Sequence, residues 1–167
     1  MPRRPLTNAR WGFTSNCFVC EPANSHGLRL PFFHDDEADA VVADFELGDE
    51  FSGAPSYVHG GVVLAVLDEA MAWAAIAIAG QWAVTRTTST EFERPVRVDR
   101  AHQVQASIES TTEREIRAVA SIVDAKGRTC ATAAAAFTPL GEAQAIDAIG
   151  GAEGLDRSFL RGGDDGS

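Results

Sequence analysis

The clearest pattern along the chain is an apolar run at 62–79, interrupted only by two adjacent acids and without the alternation of a strand. It follows His59-Gly60-Gly61 and ends before Gly80, a residue that commonly stops a helix. The twenty residues 60–79, at about 1.5 Å each, predict a helix of about 30 Å. Because the run is apolar on almost every face, we expect other parts of the protein to enclose the helix on most sides.

Short segments on both sides of this helix predict strands. Before it, 28–34 and 41–47 are apolar or β-branched and flank the charged stretch 35–37, which favours a hairpin. After it, four segments have the composition or the period-two alternation of strands: 84–92, 104–108, 116–122 and 128–137. The last is rich in alanine, which prefers helices, and is interpreted as a strand because turn residues precede it. The pattern predicts an α+β domain with a curved antiparallel sheet wrapped around one long central helix.

The composition of the two ends sets the limits of this domain. A chain of 167 residues corresponds to one domain, or to one domain with tails. Residues 1–16 carry three arginines and no following apolar run, so we expect a mobile basic terminus rather than a secretory signal. Residues 141–167 combine glycines with acids, which predicts a short helix at 143–149 and then a loose acidic tail. The working domain is therefore expected at 17–140.

Charge and cysteine content disfavour several classes of function. The 24 acidic and 14 basic side chains give a net charge of −10, which does not suit nucleic-acid binding. Asp68 and Glu69 in the middle of the apolar run argue against a membrane span, because each acid there costs about 2.5–3.5 kcal/mol. Three cysteines are too few for a disulfide framework, so a cytoplasmic location is expected.

Asp68 and Glu69 are the first candidates for chemistry, because an ionised carboxylate in a buried apolar helix is costly unless it is paired. As helix neighbours they point about 100° apart and cannot share one role. Either Asp68 is a catalytic carboxylate near the positive end of the helix, or both acids pair with arginines of the sheet or of a partner chain.

Gly60 and Gly61 leave the N–H groups at the helix start open to a ligand, as an oxyanion hole requires, although such pairs also occur in plain turns. His59 is either a hydrogen-bond donor to a substrate or a cap or surface residue.

These residues together resemble the PaaI-like branch of the hotdog-fold thioesterases. His59-Gly60-Gly61 with Asp68 is similar to the helix start of that family, and further matching segments follow the family order at 17–20, 24–28, 53–55 and 92–95. The resemblance covers most of residues 17–140. It implies a hydrolase of acyl-CoA or related thioesters that needs no metal or organic cofactor. It also implies a homodimer or a dimer of dimers, in which a partner chain completes the site that Asp68 faces.

The resemblance further implies roles for single residues. Gly60, alone or with Gly61, would offer the backbone N–H that polarises the thioester carbonyl. Asp68 would act as general base for water or as nucleophile. Thr85, at the start of the strand after the helix, matches a family hydroxyl that helps to place the water.

Several further residues are candidates for substrate binding, and each has a second interpretation. The family often has Asn or Gln at the place of Ser52 and Gly53, so Ser52 either replaces that amide or the contact is missing. Arg94, Arg97 and Arg100 surround a proline and either bind the phosphates of coenzyme A or form a solvated loop. Three large side chains either line an acyl channel or pack in the core, which we favour: Met71, Trp73 and Trp82.

Cys17 and Cys20 have the C-x2-C spacing of zinc ligands, and His26 or His34 could complete such a site. A structural zinc site usually shows a second ligand pair, which the sequence lacks, and Cys130 is distant. We therefore expect no metal and interpret the two cysteines as free thiols that pack a loop.

Two other functions stay open. A hotdog dehydratase acting on hydroxyacyl thioesters would need a histidine paired with an acid, and the segment before the helix lacks the expected His-bearing loop. A catalytically silent hotdog module that binds an acyl ligand or a protein is supported by Ser52 and Gly53 at the usual amide position.

Overall fold

The computed structural model describes residues 2–151, which contain seven strands and two α-helices. Their bounds are β1 Arg3–Leu6, β2 Phe32–Asp35, β3 Ala40–Phe45, α1 Gly60–Ala77, β4 Ala83–Phe92, β5 His102–Thr111, β6 Ile116–Asp124, β7 Thr129–Pro139 and α2 Glu142–Ala148. Short 3-10 helices lie at Asn8–Trp11 and Asp49–Phe51. The strands predicted after the helix and the helix itself are all present.

The strands form one antiparallel sheet in the order β1-β2-β3-β5-β6-β7-β4. Strands β6 and β7 are joined by the predicted turn, in which Gly127 has a φ of 74° and its N–H bonds Asp124 O at 2.8 Å. Strand β4 pairs with β7 and not with the strand that follows it, so β4 is an edge of the sheet. Helix α1 contacts strands β2 to β7, which confirms the predicted α+β arrangement of a sheet around one helix.

Packing against this helix determines which residues form the core. Val66, Leu67 and Met71 of α1 are fully buried against the sheet, and burial of each such side chain contributes about 1.5–3 kcal/mol. The alanine-rich β7 is a strand despite the helix propensity of alanine, because its backbone is paired on both sides with β4 and β6.

Enclosure of α1 is incomplete within one chain. Eight of its 18 residues are buried, while Leu64 and Ile76 are only half-buried. By length and composition alone α1 could cross a membrane, but here it packs on the sheet as a core helix does. The edge strand β4 also leaves apolar surface open, with Val84 49% and Phe92 56% exposed.

The two ends of the domain differ from the sequence-based expectation. Residues 3–16 are not an unstructured basic terminus, because β1 pairs with β2 and Leu6 is buried. In addition, Trp11 stacks on Trp73 with ring centroids 5.5 Å apart. The three arginines of this segment made its local composition look basic and mobile, although Leu6 and Trp11 pack against the rest of the domain. The predicted short helix is α2, and the predicted acidic tail beyond it, from 152 onwards, lies outside the described residues.

Candidate functional site

His59 is the N-cap of α1. Its ring nitrogen Nδ1 accepts a hydrogen bond of 2.9 Å from the backbone N–H of Gly61. Of the two roles considered for this histidine, the helix cap is therefore confirmed. Because Nδ1 accepts this bond, the ring proton is assigned to Nε2. Donation from Nε2 to a substrate stays a prediction.

The cap separates the roles of the two glycines. The N–H of Gly61 is taken by His59, whereas no hydrogen bond within residues 2–151 takes up the N–H of Gly60. A Cβ atom at Gly60 would lie 3.9 Å from the exposed ring of Phe92, so the glycine leaves a narrow gap beside that ring. The N–H of Gly60 therefore lies at the positive end of the helix dipole, where it is available to a hydrogen-bond acceptor.

Asp68 and Thr85 are brought together as the resemblance implies. The Thr85 hydroxyl donates a hydrogen bond of 2.7 Å to Asp68 Oδ1. Thr85 lies where the β4–β7 register shifts, between Thr85 and Thr87, and such bulges re-aim a side chain. Asp68 is half-buried and Thr85 is exposed, so water reaches the pair.

The distance along α1 separates Gly60 from Asp68. Eight residues of helix correspond to about 12 Å along the axis, whereas a base and an oxyanion donor must each lie about 3 Å from the reacting atoms. Asp68 therefore lies in the middle of α1 and not near its positive end, which corrects that part of the sequence interpretation. Gly60 and Asp68 of one chain cannot serve the same carbonyl group.

Glu69 faces a different environment. The Cys17 thiol donates a hydrogen bond of 3.3 Å to Glu69 Oε1. Burial, followed by the neighbouring Cys17, raises the pKa of Glu69 to about 8. Neither acid of α1 forms an ion pair with an arginine within residues 2–151. The alternative that these acids pair with arginines of the sheet is therefore wrong for both, and pairing with a partner chain stays a prediction.

Cys17, Cys20 and Glu69 form one cluster whose potential metal-ligand atoms all lie within 4.8 Å of one another. The Cys20 thiol lowers the pKa of Cys17, and in return Cys17 raises the pKa of Cys20. Glu69 could not be recognised from the sequence as a neighbour of the cysteines, because it lies 52 positions after Cys17.

The two histidines that were considered as further zinc ligands lie elsewhere. The ring of His26 contacts the Ser25 hydroxyl at 3.3 Å. The ring of His34 contacts Arg4 at 2.8 Å and Asp39 at 3.1 Å. Neither therefore belongs to the cysteine cluster.

The loop before α1 holds Ser52 and Gly53. The Ser52 hydroxyl donates to Asp49 O at 2.6 Å, so its proton is used within the loop. A Cβ atom at Gly53 would lie 3.4 Å from the ring and the Cα of His59, so the loop approaches the helix cap closely. Ser52 thus lies near the helix start, but its hydroxyl proton is already donated to the backbone carbonyl of Asp49.

The predicted arginine cluster lines an open cleft of about 500 Å³. The cleft lies where β4 and β6 end and where β5 and β7 begin. We call it the basic cleft; its charged lining is Arg94, Arg97, Arg100, Asp124, Lys126 and Arg128. Arg94 donates to Thr129 O at 2.8 Å, and the Arg97 guanidinium lies 5.4 Å from the Tyr57 ring centroid. The Arg128 guanidinium holds the pKa of Asp124 at about 2. Lys126 and Arg128 were not among the predicted residues, because the β6–β7 turn brings them to the cleft from a distant part of the sequence.

The large side chains considered for an acyl channel belong mainly to the core. Met71 is fully buried and Trp73 is 3% exposed. The half-buried Trp82 makes an edge contact with Phe13, at 5.7 Å between ring centroids. The core interpretation is thus confirmed for Met71 and Trp73.

Comparison with known proteins gives one family and one fold. The family model described as the thioesterase superfamily matches residues 56–131, which include Gly60, Asp68 and Thr85. A crystal structure of a thioesterase superfamily protein has 25% sequence identity and a TM-score of 0.69, and the match covers 76% of this chain and 62% of that chain. The match therefore spans less than two thirds of that relative.

Two further structures share the fold at lower identity. A hypothetical thioesterase of Streptococcus pneumoniae TIGR4, solved with coenzyme A, is 15% identical with a TM-score of 0.57, and the match covers 60% of this chain and 80% of that one. The PaaI protein of E. coli, from the phenylacetic acid degradation operon, is 20% identical with a TM-score of 0.57, at coverages of 61% and 73%. A search of curated proteins finds no match.

Proposed function

We propose that the chain is a member of the thioesterase superfamily, whose family model matches residues 56–131, and that it hydrolyses acyl-CoA or related thioesters. The chain has the hotdog fold of the thioesterase structures that it resembles. The observation that carries the proposal is the hydrogen bond of 2.7 Å between Thr85 and Asp68. It holds a carboxylate at a water-accessible edge of the sheet, where a base for hydrolysis is needed.

In the proposed reaction Asp68 acts as general base. It accepts a proton from a water molecule whose oxygen attacks the thioester carbonyl carbon. The negative charge that develops on the carbonyl oxygen is stabilised by the N–H of Gly60 at the start of a helix. The C–S bond then breaks, and the departing thiolate takes up the proton from Asp68. Direct attack by the Asp68 carboxylate, followed by hydrolysis of the anhydride, uses the same residues.

A second copy of the chain is required by this chemistry. Since Gly60 and Asp68 lie about 12 Å apart along one helix, the oxyanion donor for one Asp68 is proposed to be Gly60 of the partner subunit. The apolar surface of Leu64 on α1 and of Val84 on the open edge strand β4 supports such a contact. We therefore propose a homodimer, alone or as half of a tetramer.

The basic cleft supports coenzyme A as the carrier of the acyl group. The whole chain has a net charge of −10, yet five of the six charged residues of the cleft are cations. Arginine guanidinium groups suit phosphate oxygens, and Arg97 is the arginine we propose as a phosphate contact together with Arg94. The S. pneumoniae thioesterase with the same fold was solved with coenzyme A, which agrees with this substrate class.

The test is release of free thiol from a panel of acyl-CoA substrates that differ in chain length and aromatic character. We expect turnover with at least one of them, and the loss of that turnover in Asp68→Asn. Binding without thiol release across the panel would instead favour the silent acyl-binding module, for which the internally bonded Ser52 hydroxyl is the supporting observation.

A further inference from the structure

The cluster of Cys17, Cys20 and Glu69 is not used by the proposed reaction. We propose that these three side chains bind one thiophilic divalent cation, with zinc as the best fit, between the N-terminal loop and α1. The sequence alone predicted no metal because the cysteine pair lacked further ligands, and the fold supplies Glu69 as a third. This inference concerns a site apart from Asp68 and Thr85 and does not depend on the proposed function.

The separation of the ligand atoms fits a zinc ion. Zinc binds sulfur at about 2.3 Å and carboxylate oxygen at about 2.0–2.2 Å, usually with tetrahedral geometry. Those lengths place a sulfur and an oxygen ligand about 3.6 Å apart, and Cys17 Sγ lies 3.3 Å from Glu69 Oε1. The ligand atoms of all three side chains fall within 4.8 Å of one another. Three protein ligands leave one tetrahedral position for water.

The loop that carries the cysteines is held in place by its own backbone. The N–H of Val19 points at Cys17 Sγ with a separation of 3.4 Å, and such bonds support a thiolate ligand. The N–H of Leu28 bonds Phe18 O at 2.8 Å, and that of Leu30 bonds Val19 O at 2.9 Å. The Cys17–Cys20 turn is therefore tied by its backbone to residues 28–30, and the Cys17 thiol contacts Glu69 of α1.

The charged groups around Glu69 also favour a bound cation. Glu69 is half-buried in a helix whose other charged residue is Asp68. Its side chain accepts a hydrogen bond from the Cys17 thiol and also interacts with Cys20. No lysine, arginine or histidine forms an ion pair with Glu69 within residues 2–151. A divalent cation would displace the protons of the two thiols. It would also supply a positive charge next to the two thiolates and the Glu69 carboxylate.

Metal content of the full-length protein tests the proposal. The purified chain is reduced, incubated with zinc, dialysed and analysed for zinc per chain. We expect about one equivalent in the wild type and in Cys130→Ser, a matched loss of a thiol, because Cys130 is buried in β7. We expect less than a tenth of an equivalent in Cys20→Ser and at least about tenfold weaker binding in Glu69→Gln.

Cobalt titration gives a second readout that reports the ligands directly. The wild type and Cys130→Ser should develop thiolate-to-cobalt charge-transfer absorption, and Cys20→Ser should lose it. If Cys20→Ser does not fold, the isosteric Glu69→Gln decides through its weaker binding. The proposal is overturned if the wild type takes up no more zinc than Cys20→Ser, if Glu69→Gln binds as tightly as the wild type, or if the reduced protein reforms a Cys17–Cys20 disulfide in place of binding zinc.

Discussion

The Thr85 hydroxyl donates a hydrogen bond of 2.7 Å to Asp68 Oδ1, which joins the edge strand β4 to the middle of α1. Thr85 is therefore a positioning residue for the proposed base. Thr85→Val keeps the shape of the side chain and removes the donor, so kcat should fall about two- to tenfold, as expected for one hydrogen bond. KM should change less. Thr87→Val, on the same exposed strand, is the control, and an equal loss in both variants would contradict the assignment.

Loss of the helix cap should reduce stability. His59 accepts the Gly61 N–H at 2.9 Å, so His59→Ala should lower the free energy of unfolding by about 0.5–2 kcal/mol. His59→Asn, which can cap the helix in the same way, should recover most of that loss. Urea denaturation of the three proteins is the measurement, and a His59→Ala variant as stable as the wild type would show that the cap is not needed.

Assembly is the third prediction. Light scattering should give at least about 35 kDa, twice the chain mass of 17.7 kDa. Val84→Lys places a charge on the open edge strand β4 and should shift the protein towards the monomer and lower its turnover. Ser110→Lys, at an exposed position of β5, should leave the mass unchanged. A wild type that is monomeric at micromolar concentration and still fully active would refute the shared site.

Substrate contacts of the basic cleft can be separated from catalysis. Arg97→Ala should raise KM for acyl-CoA about tenfold with little change in kcat, the effect of losing one charged hydrogen bond. An N-acetylcysteamine thioester with the same acyl group lacks the phosphates and should show no such change. Arg117→Ala, whose partner is Glu115 outside the cleft, is the matched arginine variant. Equal effects on both substrates would mean that Arg97 does not contact phosphate.

The parts of the fold that depend on local pattern could be predicted from the sequence. The long apolar run predicted α1, and period-two alternation with the turn at Gly127 predicted β6 and β7. Strand β1 was missed because its pairing with β2 involves residues some 30 positions apart, and three arginines dominate the local composition.

The site was predicted unevenly for the same reason. Spacing within one helix separated Asp68 from Glu69, and the resemblance gave Thr85. The bond from Gly61 to His59 depends on the rotamer of the cap, which spacing does not show. The contact between Glu69 and Cys17 depends on how a distant loop folds back on α1. Contacts distant along the chain are thus where the sequence interpretation needed the structure.

The most direct test of the account compares Asp68→Asn with Glu69→Gln by kcat/KM on the best acyl-CoA substrate. Both changes convert an acid of α1 to its amide, but only Asp68 contacts Thr85 at the exposed edge, while Glu69 faces Cys17. Asp68→Asn should lose about 10²- to 10⁴-fold, or roughly 3–5 kcal/mol of barrier, while it folds and assembles normally. Glu69→Gln should stay within about tenfold of the wild type. Wild-type activity in Asp68→Asn, or abolished activity in a folded Glu69→Gln alone, would contradict the assignment of Asp68 as the catalytic carboxylate.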